Sequence, residues 1–238
     1  MTFLNPNTSV AFTDAVRETA RRVAGEGVEI VAVCPAPGDG PAAVESHVDE
    51  IRAAAAVVDL IARDQRAGGS DAYVIACFGD PGLDAARELV DVPVVGIAEA
   101  AMHLAAIAGR HFAIVTTLTR TLGRASDLLA RYEFDRACVA AYGTGIPVLD
   151  LEDPSSGASR RVRAWCERAI EEDGADVIVL GCAGMAGLAT ELQSALGIPV
   201  VDGVAAATGV ALAMARAGVG TSKRDEYAAP VAREAIGA

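Results

Sequence analysis

Two stretches of this chain repeat one another, and that repeat constrains the fold more than any other feature. Residues 71–100 read DAYVIACFGDPGLDAARELVDVPVVGIAEA, and residues 176–206 read DVIVLGCAGMAGLATELQSALGIPVVDGVAA. Asp71 aligns with Asp176, Cys77 with Cys182, and Gly82-Leu83 with Gly187-Leu188, at a constant offset of 105 residues. One extra residue then brings Pro93 onto Pro199. Each copy reads as a β-branched strand, a cysteine, a glycine turn, a helix and a Pro-Val-Val strand. The first strands fit the same scheme, with Thr2 to Asn5 standing against Phe112 to Thr116.

The rest of the chain supports two similar lobes. Short apolar runs at 28–34, 72–77, 92–97, 112–116, 138–142, 177–181 and 198–201 alternate with Ala-rich helical stretches at 14–24, 44–66, 84–90, 120–132, 159–172 and 204–217. Continuous apolar strands separated by helices predict α/β lobes, each a mostly parallel sheet flanked by helices. The expected organisation is lobe one from 1–96 plus 204–238 and lobe two from 97–203, related by a pseudo-twofold with the site between them.

Composition narrows the function. The net charge is −12, which argues against nucleic acid or an anionic membrane surface as partner, since both need basic patches. Residues 1–9 have neither a basic start nor an apolar core, so no secretion signal is expected. The most apolar stretch, 196–215, contains Pro199, Asp202 and several glycines, and reads as strand, turn and helix rather than as a membrane span. Five cysteines, at 34, 77, 138, 166 and 182, show no CxxC or Cys/His spacing. No metal is expected, and reduced thiols in the cytoplasm are the default.

In open α/β sheets ligands sit beyond the carboxyl ends of the strands. Cys77 and Cys182 both end a strand, and glycine follows each within two residues. Backbone N–H groups and a helix start near each sulfur would favour thiolate. Facing each other across a cleft, two thiols can invert a stereocentre without a cofactor: one thiolate removes a proton and the other thiol delivers one to the opposite face. The bland alternative is that free cysteine merely fills space. Cys166, Cys34 and Cys138 are read that way.

The segments VIACFGDPGLDAARELVDVPVVGIAEAA, VIVLGCAGMAGLATEL, IPVVDGVAAA and LNPNTS resemble the hydantoin racemases of the cofactor-independent aspartate/glutamate racemase superfamily. The resemblance runs from Leu4 to the GTSKRDEY segment. It implies two α/β lobes, catalytic cysteines at Cys77 and Cys182, no cofactor, a small-molecule substrate and a homo-oligomer. The segment before Asn5-Pro6-Asn7 is shorter than the family pattern, so the first strand is expected to be short. Amino-acid racemases of the superfamily typically follow the cysteine with Asn-Thr. Here Cys77 is followed by Phe78-Gly79 and Cys182 by Ala183-Gly184-Met185, which suits a neutral planar ring better than a zwitterion. The expectation is racemisation of a 5-monosubstituted hydantoin, with Asn5, Ser9, Phe78, Gly79, Thr116, Thr117, Ala183, Gly184 and Met185 around the substrate. Phe78 and Met185 are expected to line the pocket for the C5 substituent. Asp80 is read as a helix cap and Glu45 as a first-turn helix acid.

Allantoin racemase is the nearest alternative. Maleate isomerase and aspartate/glutamate racemase are others, and arylmalonate decarboxylase ranks below them because it has one of the two cysteines. A two-lobed binding protein without chemistry is the rival from another class.

Overall fold

A computed structural model describes residues 1–230 of the chain; the last eight residues of the expected lobe-one segment lie outside the described residues. Two four-stranded parallel sheets form the frame. The first contains β1 (Thr2–Leu4), β2 (Val31–Val33), β3 (Tyr73–Ile75) and β4 (Val94–Gly96) in the order β2-β1-β3-β4. The second contains β5 (Phe112–Thr116), β6 (Cys138–Gly143), β7 (Val177–Leu180) and β8 (Val200–Asp202) in the order β6-β5-β7-β8. The two orders are the same once each strand is matched to its repeat.

Register matches as closely as order. Tyr73 pairs with Val94 and Ile178 with Val200. The N–H of Tyr73 donates to the Pro93 carbonyl at 2.9 Å, and that of Ile178 to the Pro199 carbonyl at 3.0 Å. A proline has no N–H to offer but keeps its carbonyl, so it is tolerated just where each strand begins. Likewise Ala76 N–H donates to the Leu4 carbonyl and Gly181 N–H to that of Val115. This makes Asn5 and Thr116 equivalent positions, one past the last pair of the β1–β3 and β5–β7 ladders.

Strand faces sort the apolar side chains into three layers. Phe3, Val74 and Val95 of the first sheet and Ile114, Val179 and Val201 of the second point toward the middle of the molecule, into one core. That core is filled by α1 (Val10–Ala24), α4 (Ile97–Ala108), α5 (Leu122–Arg131) and α8 (Gly203–Arg216). The alternate residues face outward. Leu4, Tyr73, Ile75 and Val94 pack under α2 (His47–Arg66) and α3 (Leu83–Leu89). Val115, Ile178, Leu180 and Val200 pack under α6 (Ala158–Asp173) and α7 (Ala189–Leu196). Side chains that alternate between faces with period two account for this division. The helix α8 lies against α1, α4 and strands β3 and β4.

Two helix starts differ from the sequence reading, for capping reasons. The first helix begins at Val10, not at residue 14, because Ser9 Oγ accepts the Phe12 N–H at 3.1 Å. The second begins at His47, not at residue 44. Ser46 Oγ accepts the Asp49 N–H at 3.2 Å and donates to the Asp49 carboxylate at 2.6 Å, the reciprocal pattern that fixes a helix N-terminus. Among the described residues no helix is long and apolar enough to cross a membrane.

Candidate active site

The carboxyl ends of the strands carry the chemistry-bearing residues. Cys77 lies two positions beyond β3, and the Asp80 N–H turns back to its carbonyl at 3.0 Å. Cys182 lies two positions beyond β7, and the Met185 N–H turns back to its carbonyl at 3.0 Å. The two thiols are thus held by the same turn in the two lobes. Both open onto one small cavity of about 60 Å³ between the lobes. Its wall includes Asn5, Asn7, Phe12, Val44, Glu50, Cys77, Phe78 and Gly79 from one side. From the other come Thr116, Thr117, Thr121, Arg124, Val148, Cys182, Ala183 and Gly184.

The structure therefore brings most of the expected residues together, with two exceptions. Met185 is fully buried in the outer core of lobe two, not in the cavity wall. The turn that returns its N–H to Cys182 leaves its side chain beneath the second sheet. Ser9 is also absent from the wall, since it caps α1. Asn5 lines the cavity, but its amide donates to Asn7 Oδ1, the Ser9 carbonyl and Thr13 Oγ1, all at 3.0–3.1 Å. It shapes the loop as much as it faces a ligand. Thr116 Oγ1 is likewise committed to the Gly181 carbonyl at 2.7 Å.

The cysteines depart from the thiolate expectation. Gly79 N–H reaches the Cys77 sulfur and Gly184 N–H the Cys182 sulfur, and each lowers the thiol's pKa. Burial outweighs them. Desolvation pushes Cys182 up to about 11. Cys77 is raised well above its ordinary value by burial first, and then by the Glu50 carboxylate. Taking a small anion out of water costs more than one backbone donor returns. The α-helices begin only at Leu83 and Ala189, so the one helical start beside a cysteine is the short 3₁₀ helix Ala183–Leu188 that follows Cys182. Both thiols are therefore neutral at neutral pH.

Asp80 does cap a helix, but not the one that follows it. Its carboxylate accepts the N–H groups of Ala98 at 3.0 Å and Glu99 at 2.8 Å, at the start of α4, and the Tyr132 hydroxyl at 2.8 Å. Its backbone takes a left-handed φ of 45°, which a non-glycine residue rarely adopts. Glu45 is not in the first turn of α2. It precedes the Ser46 cap, and its Oε1 accepts the Val148 N–H at 2.8 Å, across the cleft.

Glu50 and Arg124 were not foreseen. Glu50 lies in the first turn of α2, where an acid usually just complements the helix dipole, so nothing in the sequence singles it out. Arg124 sits on α5 and donates from Nε and Nη2 to the Gly79 carbonyl at 2.9 and 2.6 Å. A Cβ at Gly79 would run into the Glu50 carboxylate, so glycine is what lets that acid approach the cysteine turn. None of the three histidines lines the cavity. Among the described residues, no three His, Cys, Asp or Glu side chains converge to hold a metal ion.

Residues 2–211 match the family model described as Asp/Glu/Hydantoin racemase. The chain belongs to that family. It is similar to a hydantoin racemase from Pseudomonas sp. (strain NS671), 42% identical over 99% of this chain and 93% of that protein. A hydantoin racemase from Rhizobium meliloti is 42% identical over 98% of this chain and 96% of that protein. The solved allantoin racemase from Klebsiella pneumoniae superposes with a TM-score of 0.94 at 48% identity, covering 99% of this chain and 95% of its own. As a member of this racemase family the chain is an isomerase, and two parallel four-stranded sheets with a shared cavity are its frame.

Proposed function

We propose that the protein racemises 5-monosubstituted hydantoins by two-thiol proton transfer at C5, without a cofactor. The observation that carries this reading is that Cys77 and Cys182, at matched positions of two repeats, line the same cavity. The substrate binds with C5 between the sulfurs. One cysteine first gives its proton to solvent; as thiolate it takes the C5 proton, and the electron pair delocalises into the adjacent ring carbonyl as an enolate. The other cysteine, as thiol, gives its proton to the opposite face of C5. The thiol and thiolate have then exchanged places, and the opposite enantiomer resets them. Gly79 and Gly184 N–H groups stabilise whichever sulfur is anionic. Asn5 Oδ1 and Thr116 Oγ1 can accept a ring N–H, and the Thr117 hydroxyl is of the right type to meet ring N–H or C=O groups, while Phe78, Ala183 and Gly184 complete the wall. The absence of histidine from the cavity supports sulfur as the base, because a cysteine hydrolase needs a base beside its nucleophile.

The activities of the relatives support this substrate class. Allantoin is itself a 5-substituted hydantoin, so both names describe one reaction at one carbon. Reduced cytoplasm is the expected compartment for five free thiols. Association with further copies is expected too, with exposed Ile51 and Ile107 as apolar surface to cover.

The test is to incubate single enantiomers of 5-isobutylhydantoin, 5-benzylhydantoin and allantoin with the protein in D₂O. Optical rotation and the C5–H NMR signal are followed against an enzyme-free control. Rotation falling to zero with deuterium at C5, faster than the control, is the expected result. No acceleration with any of the three would overturn the assignment.

A further inference from the structure

The cavity wall contains a charged pair that the two-thiol scheme does not use. Glu50 comes from lobe one and Arg124 from lobe two, and both converge on the Gly79 turn beside Cys77. Arg124 spends two donors on the Gly79 carbonyl; a guanidinium has five. The Glu50 carboxylate is half-buried. Its oxygens stay open to the cavity, and among the described residues no side-chain hydrogen bond or ion pair takes them up. Burial raises its pKa, and Arg124 is the main charge that opposes the rise. Around the pair, Phe12, Val44, Phe78 and Val148 are apolar. A ligand that fills the cavity strips water from this carboxylate, which is costly unless the ligand supplies N–H donors in return.

We propose that Glu50 and Arg124 read the C5 substituent and select one that carries N–H donors beside a carbonyl acceptor, a ureido group rather than an alkyl or aryl chain. This rests on the hydantoin reading of the site. The chemistry matches on both edges: two neighbouring ureido N–H groups meet the two oxygens of a carboxylate, and the ureido carbonyl faces the guanidinium. Their place next to Cys77 puts the pair next to C5 and what it bears. An alkyl substituent leaves Glu50 desolvated and unpaired, which is how a site built for hydrogen bonding rejects an analogue that cannot make them.

The experiment measures kcat/KM for C5 exchange of (S)-allantoin and of 5-isobutylhydantoin, for the wild type, Glu50→Gln and Glu50→Leu. The wild type is expected to favour allantoin. Loss of a charge-assisted contact predicts that the allantoin-to-isobutyl ratio falls about ten- to a hundredfold in Glu50→Leu, with a smaller fall in Glu50→Gln. Thermal unfolding of each variant identifies any loss due to misfolding, and the ratio is insensitive to the active fraction. A wild type that prefers the isobutyl compound, or a ratio unmoved in both variants, overturns the assignment of Glu50 to the substituent and leaves the two-thiol mechanism standing. A wild type that exchanges neither compound removes the hydantoin reading itself.

Discussion

The two lobes share a frame and differ in where they keep one carboxylate. By register, Gly96 at the end of β4 corresponds to Asp202 at the end of β8, and by the matched turns Asp80 corresponds to Met185. In lobe two, Asp202 caps its own helix, accepting the Ala205 N–H at 2.7 Å, and Met185 fills the core. In lobe one the acid sits on the other member of the pair: Asp80 reaches over to cap α4, and Gly96 leaves room, since a Cβ there would collide with the Asp80 carboxylate. Both helices need an acceptor at their N-termini. Each lobe meets that need once, from a different strand end. The cysteines, by contrast, keep the same place in both lobes. Capping can move along the frame because any nearby oxygen serves. A pair of thiols on opposite faces of one carbon cannot move.

The sharpest way to break the comparison is at the cysteines. If the lobes contribute equally to proton transfer, Cys77→Ser and Cys182→Ser each lose racemisation by about a thousandfold or more, as expected for removing a general acid or base whose pKa cannot be replaced by a hydroxyl. Loss of optical rotation with each enantiomer is the measurement. Near-native racemisation in either variant would show that only one lobe carries chemistry.

That much of the site was legible because its signal is a repeat. Matched cysteines, the Pro93/Pro199 pair and the alternating apolar runs all rest on short-range patterns that the backbone enforces. What escaped depends on approach between lobes. Glu50 reads as an ordinary first-turn acid and Arg124 as an ordinary helix cation until Gly79 is seen between them. Met185 follows Cys182 closely enough to suggest the pocket, yet the turn at 182–185 sends it into the core. The thiolate expectation failed on magnitude: the backbone donors are present, but burial outweighs them.

The next largest effect tests the exchanged caps. Asp80→Ala strips two N–H groups and the Tyr132 hydroxyl of their shared acceptor. It is expected to destabilise by about 3–4 kcal/mol, whereas Asp202→Ala, which removes an ordinary N-cap, costs about 1 kcal/mol. Urea unfolding of the two variants gives the comparison. Gly96→Ala alone is destabilising through its contact with Asp80. The double change Asp80→Ala with Gly96→Asp rebuilds the lobe-two arrangement in lobe one and recovers part of the loss. A double variant no more stable than Asp80→Ala would show that the positions are not interchangeable.

The smallest effect is the pH dependence of the lobe-one cap. Burial holds the Asp80 carboxyl up at about 6 despite its three donors. The unfolded chain loses the same proton near the ordinary value of 3.8. Between these two values the native state binds more protons than the unfolded one, so stability falls as pH rises. The stability from this group is full below about pH 4 and gone above about pH 6. At 1.36 kcal/mol per pKa unit the loss is at most about 3 kcal/mol. Asp80→Asn keeps an acceptor for α4 without the titration. The stability of the wild type relative to Asp80→Asn is therefore expected to fall as pH is raised from 4 to 7. Parallel curves would mean that the acid is not held up by burial. A rise instead would mean that the two N–H groups and Tyr132 outweigh desolvation, and that lobe one caps its helix with a carboxylate charged throughout this range.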